Sequence, residues 1–159
     1  MSRILVAYFS ATGTTERLAK KIAHAVGADL HEIRPAQPYT GADLDWTNPK
    51  SRSSVEMRDK AFRPEAVHET LNVQDVDTLV LAFPIWWYTA PTIINTFLEQ
   101  HDWAGKTILP VATSGGSGMG STNADLSPSC PGAVLKEGRR FDAGVSESEW
   151  KAWFERAVK

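Results

Sequence analysis

The sequence predicts a single α/β domain over residues 1–159, with a doubly wound, five-stranded parallel sheet and helices on both of its faces. Three apolar runs of strand length support this prediction, at residues 4–9, 78–83 and 106–113. The first two are nearly continuous Val, Leu, Ile, Ala and Phe, which is typical of parallel strands covered on both sides. Helical patterns separate the strands, so we expect right-handed crossovers.

The helix of the first crossover is indicated by its hydrophobic periodicity and by the residue that ends it. A helix is predicted at residues 14–26, where Leu18 and Ile22 belong to one apolar face. Gly27 follows directly and is suited to end that helix. A weaker second strand is then expected at residues 29–33, which completes a strand–helix–strand unit.

Similar signals predict the second half of the chain. A helix is expected at residues 92–100, because Pro91 suits its first turn and apolar residues recur at helical spacing. A last, weak strand is expected within residues 133–141. The final helix opens with Ser146 and Glu149, which form the pattern of a capping box.

Residues 35–64 interrupt this alternation of strands and helices. The segment is polar, is punctuated by proline and shows only weak helical periodicity. A connection of this length is usually functional or mobile. Trp46 is its most prominent aromatic residue, and we expect it to approach a ligand.

Composition excludes several classes of function. The chain has 42% hydrophobic and 23% charged residues, as globular proteins do, and a net charge of −2 that does not attract nucleic acid. No apolar run approaches the roughly 20 residues that span a bilayer, and no signal peptide is visible. A single cysteine, Cys130, rules out an internal disulfide and fits a reducing compartment, so we expect a cytoplasmic protein. We also expect a monomer or a weak dimer.

A hydroxyl-rich loop lies between the first strand and the first helix. Five of its six residues carry a hydroxyl or are glycine, and none is charged. The first amides of a helix have no intrahelical partner and lie at the positive end of its dipole, so this loop predicts a phosphate site without a lysine. The alternative is an ordinary helix cap. The predicted ligands are Ser10, Ala11, Thr12, Gly13, Thr14 and Thr15.

An aromatic loop follows the third strand. Three consecutive aromatic residues cannot all point into one core, so at least one is expected at the ligand edge, where a flat ring can stack on another. The alternative is a surface anchor or a dimer patch. The predicted ring contacts are Pro84, Ile85, Trp86, Trp87 and Tyr88.

A glycine-rich loop follows the fourth strand. Small residues there allow backbone amides to approach a ligand closely. The loop lacks the Lys of a P-loop, and it follows the wrong strand for a dinucleotide fingerprint, so the alternative is a flexible loop. The predicted contacts are Ser114, Gly115, Gly116 and Gly118.

These three loops and most of the chain resemble short-chain flavodoxins. The family's phosphate loop, Ser/Thr-x-Thr-Gly-x-Thr, falls on Ser10, Thr12, Gly13 and Thr15, and its Pro-Ile-Trp-Trp loop begins at Pro84. The resemblance implies a flavodoxin-like fold with strand order 2-1-3-4-5 and FMN as the cofactor. It implies that the first loop binds the phosphate, that the second packs on the ring, that the third offers amides to the ring edge, and that Trp46 contacts that edge.

The resemblance implies an FMN-binding flavodoxin that acts in electron transfer with redox partner proteins or a small-molecule acceptor. The alternative is an FMN-dependent NAD(P)H:quinone-type oxidoreductase, in which residues 35–64 wall a substrate pocket. A third reading is an interaction module that has lost its cofactor, against which the intact phosphate loop argues. Carrier flavodoxins are strongly acidic, whereas this chain has a charge of only −2. We expect its acidic residues to cluster at Asp43, Asp45, Asp75 and Asp77.

The sequence lacks the residues that other classes of protein with this fold need for their chemistry. The first strand is not followed by the acidic pair of a response regulator or the Cys-x5-Arg of a low-molecular-weight phosphatase. No pairing of nucleophile and base is visible, so we predict no catalytic residue. The histidines show no metal-ligand spacing, and we predict no metal site; they are His24, His31, His68 and His101.

Overall fold

A computed structural model describes residues 3–67, 71–114 and 118–158. Its centre is a parallel sheet of order β2-β1-β3-β4-β5, with a sixth strand, β6, that also pairs with β4. The strands are β1 (Arg3–Tyr8), β2 (Asp29–Glu32), β3 (Val76–Pro84), β4 (Thr107–Thr113), β5 (Val134–Leu135) and β6 (Arg139–Arg140). The helices are α1 (Thr14–Val26), α2 (Arg52–Arg58), α3 (Thr92–Glu99), α4 (Thr122–Leu126) and α5 (Glu147–Ala157), with a 3₁₀ turn at Ser127–Ser129.

The predicted strand order and the parallel direction are confirmed. Successive residues of the central strands alternate between two apolar clusters, as the period of a strand requires. Leu5 and Ala7 of β1 lie in the cluster that packs on α3, whereas Val6 and Tyr8 lie in the cluster that packs on α1 and α5. Both faces of the sheet are therefore covered, which explains the continuous apolar runs.

The last predicted strand is broken in two, and Pro110 of β4 explains the break. The backbone amides of Lys136 and Phe141 donate to the carbonyls of Ile108 and Ala112, on the same edge of β4. Pro110 lies midway between these two acceptors and has no N–H to offer to the edge strand. Residues 136–138 consequently leave the ladder between β5 and β6.

Residues 35–64 contain a helix that their weak periodicity does not predict. Ser51 caps α2 by accepting the amide hydrogen of Ser54. The carboxylate of Glu56 is buried and accepts from Arg52 Nε at 2.8 Å and from the hydroxyl of Tyr39. The Arg52 guanidinium also lies 3.9 Å from the centre of the Tyr39 ring. A partly buried ion pair between residues four apart thus stabilises a short helix that would be marginal alone.

The fold brings three strand ends together at one edge of the sheet. β1, β3 and β4 run in parallel, and Pro84 at the end of β3 pairs with Thr113 at the end of β4. The order reverses between β1 and β3, the point at which ligands bind in open α/β sheets.

At the opposite end of the chain, the Ser146 hydroxyl accepts the amide hydrogen of Glu149 at 3.1 Å, as the capping pattern predicts. Within the described ranges, no helix is long and apolar enough to cross a membrane.

Candidate functional site

A cavity of about 710 Å³ opens at the carboxyl edge of β1, β3 and β4, within the usual volume range of small-molecule sites. Its walls come from the hydroxyl-rich loop, the aromatic loop, the end of β4 and residues 35–64. The lining residues are Ala11, Thr12, Thr14, Thr15, Leu44, Trp46, Ser53, Pro84, Ile85, Trp86, Trp87, Tyr88 and Thr113. Two of the three predicted loops therefore meet in one cavity with Trp46.

The start of α1 forms the polar end of this cavity. Gly13 precedes the helix with a φ of 93°, which favours glycine, and its amide donates to Ser10 Oγ at 3.0 Å. The first intrahelical bond joins the amide of Arg17 to the carbonyl of Gly13, so the amides at positions 14–16 precede it and can donate to a ligand. The buried hydroxyl of Thr15 lies 2.7 Å from that of Thr113, which ties α1 to the end of β4.

The described lining of the cavity carries no charged side chain. An anion bound there would be held by amides, hydroxyls and the helix dipole rather than by an ion pair. The phosphate site without a lysine stays a prediction. The uncharged lining makes the cavity sensitive to any charge that a substitution introduces.

The aromatic loop is a two-residue turn in a strained conformation. The amide of Trp86 donates to the Thr89 carbonyl at 2.9 Å, and the amide of Thr89 donates back at 3.2 Å. Between them, Trp87 and Tyr88 have φ angles of 49° and 65°, the left-handed values that a type I′ turn normally gives to Asn and Gly. Bulky residues in this conformation are outliers that cluster at functional sites. The turn leaves Trp87 43% and Tyr88 70% exposed beside the cavity.

Gly120 packs against the backbone of this aromatic turn at Tyr88. The carbonyl of Tyr88 accepts the amide hydrogen of Ser121 at 2.9 Å. A Cβ atom added to Gly120 would lie 1.9 Å from that same carbonyl oxygen, and the φ of Gly120 is +54°. Only glycine fits here, because the backbone of the turn approaches too closely for any side chain.

Asp125 of α4 joins the aromatic turn to two other segments. Its Oδ2 accepts from the hydroxyls of Thr89, at 2.6 Å, and Ser121, at 2.8 Å, and its Oδ1 lies 3.0 Å from Lys60 Nζ. Burial acts to raise the pKa of Asp125, but the hydrogen bonds from Thr89 and Ser121 and the Lys60 ammonium outweigh it, so this pKa lies below its usual value.

We expect Asp125→Asn to lower the free energy of unfolding at pH 7 by about 1–2 kcal/mol, because the amide keeps one acceptor oxygen and no charge. The folded-state pKa lies below that of the unfolded chain. The stabilisation is therefore complete above the unfolded value of about 3.9 and is lost as the pH falls through the folded-state pKa. Denaturant unfolding should show a smaller difference between wild type and variant at pH 3 than at pH 7. An equal difference at both pH values would contradict a role for the charge.

Trp86 is held in place by two other aromatic rings. Its ring centre lies 5.6 Å from that of Phe9 and 5.4 Å from that of Tyr39, and both contacts are edge to face. Burial, then the hydrogen bond to Glu56, raise the pKa of Tyr39 well above its usual value, so its hydroxyl stays protonated. Trp86 is thus a fixed wall, whereas Trp87 and Tyr88 present exposed rings.

The glycine-rich loop is only partly described. Ser114 faces β6, where its hydroxyl accepts from Arg140 Nε at 2.9 Å and its carbonyl accepts from the same guanidinium at 3.0 Å. Ser114 and Gly118 are not among the described residues that line the cavity. Gly115 and Gly116 lie outside the described residues. Cofactor contacts from this loop therefore stay a prediction.

Three lining residues were not predicted from the sequence. Thr113 is the last residue of β4, and this position could have identified it as a lining residue, because ligands bind at the carboxyl ends of the strands in such sheets. Leu44 and Ser53 reach the cavity only through the fold of residues 35–64. No sequence motif marks these two residues.

The predicted acidic cluster is wrong, because its members lie on different parts of the molecule. Asp75 and Asp77 lie at the start of β3, where Arg3 pairs with Asp75 and donates its amide to Asp77. Asp43 and Asp45 belong to the segment beside the cavity, where they bind nearby backbone amides.

Comparison with known proteins places the chain among flavoproteins. The family model described as flavodoxin matches residues 3–157. The crystal structure of a candidate flavoprotein from Bacteroides eggerthii is 50% identical, covers 100% of this chain and 99% of its own, and has a TM-score of 0.93. One from Bacteroides uniformis is 47% identical, covers 97% and 98%, and has a TM-score of 0.90. A flavoprotein from Lactobacillus acidophilus in complex with FMN shares the fold at 19% identity, with a TM-score of 0.72 over 97% of this chain and 99% of its own.

Two curated relatives are larger enzymes. An FMN-dependent NADH:quinone oxidoreductase from Brevibacillus brevis is 31% identical over 103 residues, which are 64% of this chain and 49% of the relative. A second protein of that name from Bacillus subtilis is 30% identical over 120 residues, 71% of this chain and 54% of the relative. The chain spans about half the length of these relatives.

Proposed function

The chain belongs to the flavodoxin family, and on that basis we propose that it binds FMN and acts in electron transfer. One observation carries the proposal: the first amides of α1 and the aromatic turn converge on one cavity of about 710 Å³, whose described lining carries no charge. FMN has an anionic phosphate at one end and a flat ring at the other. The polar and aromatic ends of the cavity fit these two groups.

Each wall of the cavity would have a separate task. The amides at positions 14–16 and the hydroxyls of Thr12 and Thr14 would hold the phosphate, and Trp87 or Tyr88 would cover a face of the ring. Trp86 and Ile85 would exclude water from its inner side. FMN supplies the redox chemistry, because its ring takes up and releases electrons one or two at a time. The uncharged walls favour the neutral forms of the ring over charged ones.

The exposed aromatic turn supports exchange of electrons at the protein surface. Trp87 and Tyr88 are both partly open to solvent at the mouth of the cavity. A partner protein or a small acceptor would therefore reach the ring edge there without opening the fold. The four aspartates expected to cluster lie on different parts of the molecule. This argues against a carrier that docks on a basic partner through one strongly negative face.

A side cavity favours a second function, that of an FMN-dependent oxidoreductase with a small-molecule acceptor. It has a volume of about 250 Å³ and shares Trp46 and Trp87 with the main cavity. The guanidinium of Arg58 lines it and donates to the Pro49 carbonyl at 2.7 Å. Two indole walls and a fixed cation suit a flat ring that carries carbonyl oxygens, as quinones do. The names of the curated relatives agree with this reading.

Visible spectroscopy of the purified protein, before and after addition of FMN, tests the proposal. We expect a saturable one-to-one change in the flavin bands, followed by reduction in two separate one-electron steps. Reduction in one two-electron step, with steady NAD(P)H oxidation when a quinone is added, would favour the oxidoreductase. Turnover that requires a separate reductase would favour the carrier. A protein that neither contains nor binds FMN would contradict both functions.

A further inference from the structure

A buried serine hydroxyl in the cavity wall has no hydrogen-bond partner among the described residues. Ser53 is 2% exposed and lines the main cavity, yet its Oγ makes no hydrogen bond to any described residue. Buried polar groups are nearly always paired, so an exception requires an explanation. A ligand in the cavity would provide one.

The surroundings of Ser53 hold it firmly in place. Its own amide donates to the Asp43 carbonyl at 2.9 Å, so the backbone N–H is paired whereas the hydroxyl is unpaired among the described residues. The preceding residue, Arg52, binds Glu56 at 2.8 Å and the Gln37 carbonyl at 2.7 Å. The backbone that carries the Ser53 hydroxyl is therefore held beside the cavity by a partly buried ion pair.

The position of Ser53 favours the flavin ring and the ribityl chain over the phosphate. The phosphate end of the cavity is made by α1 and its loop, whereas Ser53 comes from residues 35–64 together with Leu44 and Trp46. The next residue, Ser54, lines the side cavity between Trp46 and Trp87, which lies at the aromatic end. Ser53 therefore belongs to the aromatic side of the site.

We propose that Ser53 is a cofactor-contacting residue whose hydroxyl hydrogen-bonds a polar atom of the riboflavin part of FMN. The inference rests on the proposed function and extends it. It gives residues 35–64 a role in recognising the cofactor, since this segment supplies the otherwise unpaired hydroxyl. The hydroxyl both donates and accepts, so it can pair with a ring carbonyl, a ring N–H or a ribityl hydroxyl.

The variant Ser53→Ala tests this assignment through binding and stability together. We expect the dissociation constants of FMN and of riboflavin to rise by the same factor, about three- to tenfold, as for loss of a buried neutral hydrogen bond. The melting temperature of the flavin-free protein should stay the same or rise, because the substitution removes an unpaired buried group. A hydroxyl with only a structural role would not separate these two readouts.

Thr92→Val is the matched control. Thr92 Oγ1 is also buried and unpaired among the described residues, but Thr92 does not line the cavity. This variant should leave both dissociation constants unchanged. Ser53→Cys fills the space of Ser53 with a poor hydrogen-bonding group, so it should weaken binding as Ser53→Ala does.

The outcomes separate this inference from the proposed function. A wild-type protein that binds no flavin overturns the function itself. If the wild type binds FMN and Ser53→Ala binds both flavins equally well, the assignment of Ser53 is wrong. A loss confined to FMN would place Ser53 on the phosphate, against the proposal. Wild-type affinity in Ser53→Cys would mean that volume rather than hydrogen bonding matters, which also overturns it.

Discussion

Thr12→Glu is expected to weaken FMN binding at least about a hundredfold and to change riboflavin binding much less. Thr12 lines the polar end of the cavity, where no described side chain carries a charge to offset a new carboxylate. Two like charges about 4 Å apart repel by roughly 4 kcal/mol at the effective dielectric constant of a protein surface. A hundredfold loss corresponds to about 2.7 kcal/mol, so the estimate is conservative.

The control for this substitution is Thr12→Gln, which has the size of Glu without its charge. Thr12 is exposed in its loop, so neither variant should unfold the protein. Titration of each variant with FMN and with riboflavin measures the effect, and added salt should recover part of the FMN affinity of Thr12→Glu. Equal loss for both flavins would contradict the placement of the phosphate at α1.

Gly120→Ala is expected to disrupt the aromatic turn, with a loss of about 2–4 kcal/mol of stability. The new Cβ would lie 1.9 Å from the Tyr88 carbonyl oxygen, and the φ of +54° strains any side chain. The turn must move, which breaks the 2.9 Å bond from the Ser121 amide and shifts Trp87 and Tyr88 away from the cavity. We therefore expect flavin affinity to fall more than tenfold.

Gly144→Ala serves as the control, because a Cβ there meets nothing within 4 Å and the backbone does not have a positive φ. It should leave stability unchanged or raise it slightly. Denaturant unfolding and flavin titration of both variants measure the effect. Wild-type stability and affinity in Gly120→Ala would mean that the turn can move without cost, so that its strained conformation has no role in binding.

Local sequence signals predicted most of the framework. The apolar runs at residues 4–9, 78–83 and 106–113 correspond to β1, β3 and β4, and the helix from Thr14 to Val26 was predicted to the residue. These signals are local, since hydrophobic period and cap residues act over only a few positions. The resemblance to flavodoxins implied the strand order, and a doubly wound parallel sheet of that order places the meeting point of the strand ends at its switch point.

Features that depend on distant residues were missed. Whether the edge strand continues depends on Pro110, which faces residue 138 across the sheet. The helix α2 is stabilised by the hydroxyl of Tyr39, 17 residues away from Glu56, in addition to the local pair with Arg52. The expected acidic cluster fails because its two pairs of aspartates belong to different segments of the fold. Such contacts join segments with no common local pattern.

The sequence by itself determined the central strands, the first helix and the two loops that face each other across the cavity, because these follow from local patterns. The sheet order was implied by the resemblance to flavodoxins. Only the tertiary structure decided that Leu44 and Ser53 join them, that Trp87 and Tyr88 occupy a strained turn, and that Gly120 supports it. The physical reason is that close packing and burial arise between distant segments. A hydroxyl becomes an unpaired buried group only after the surrounding chain has excluded water from it.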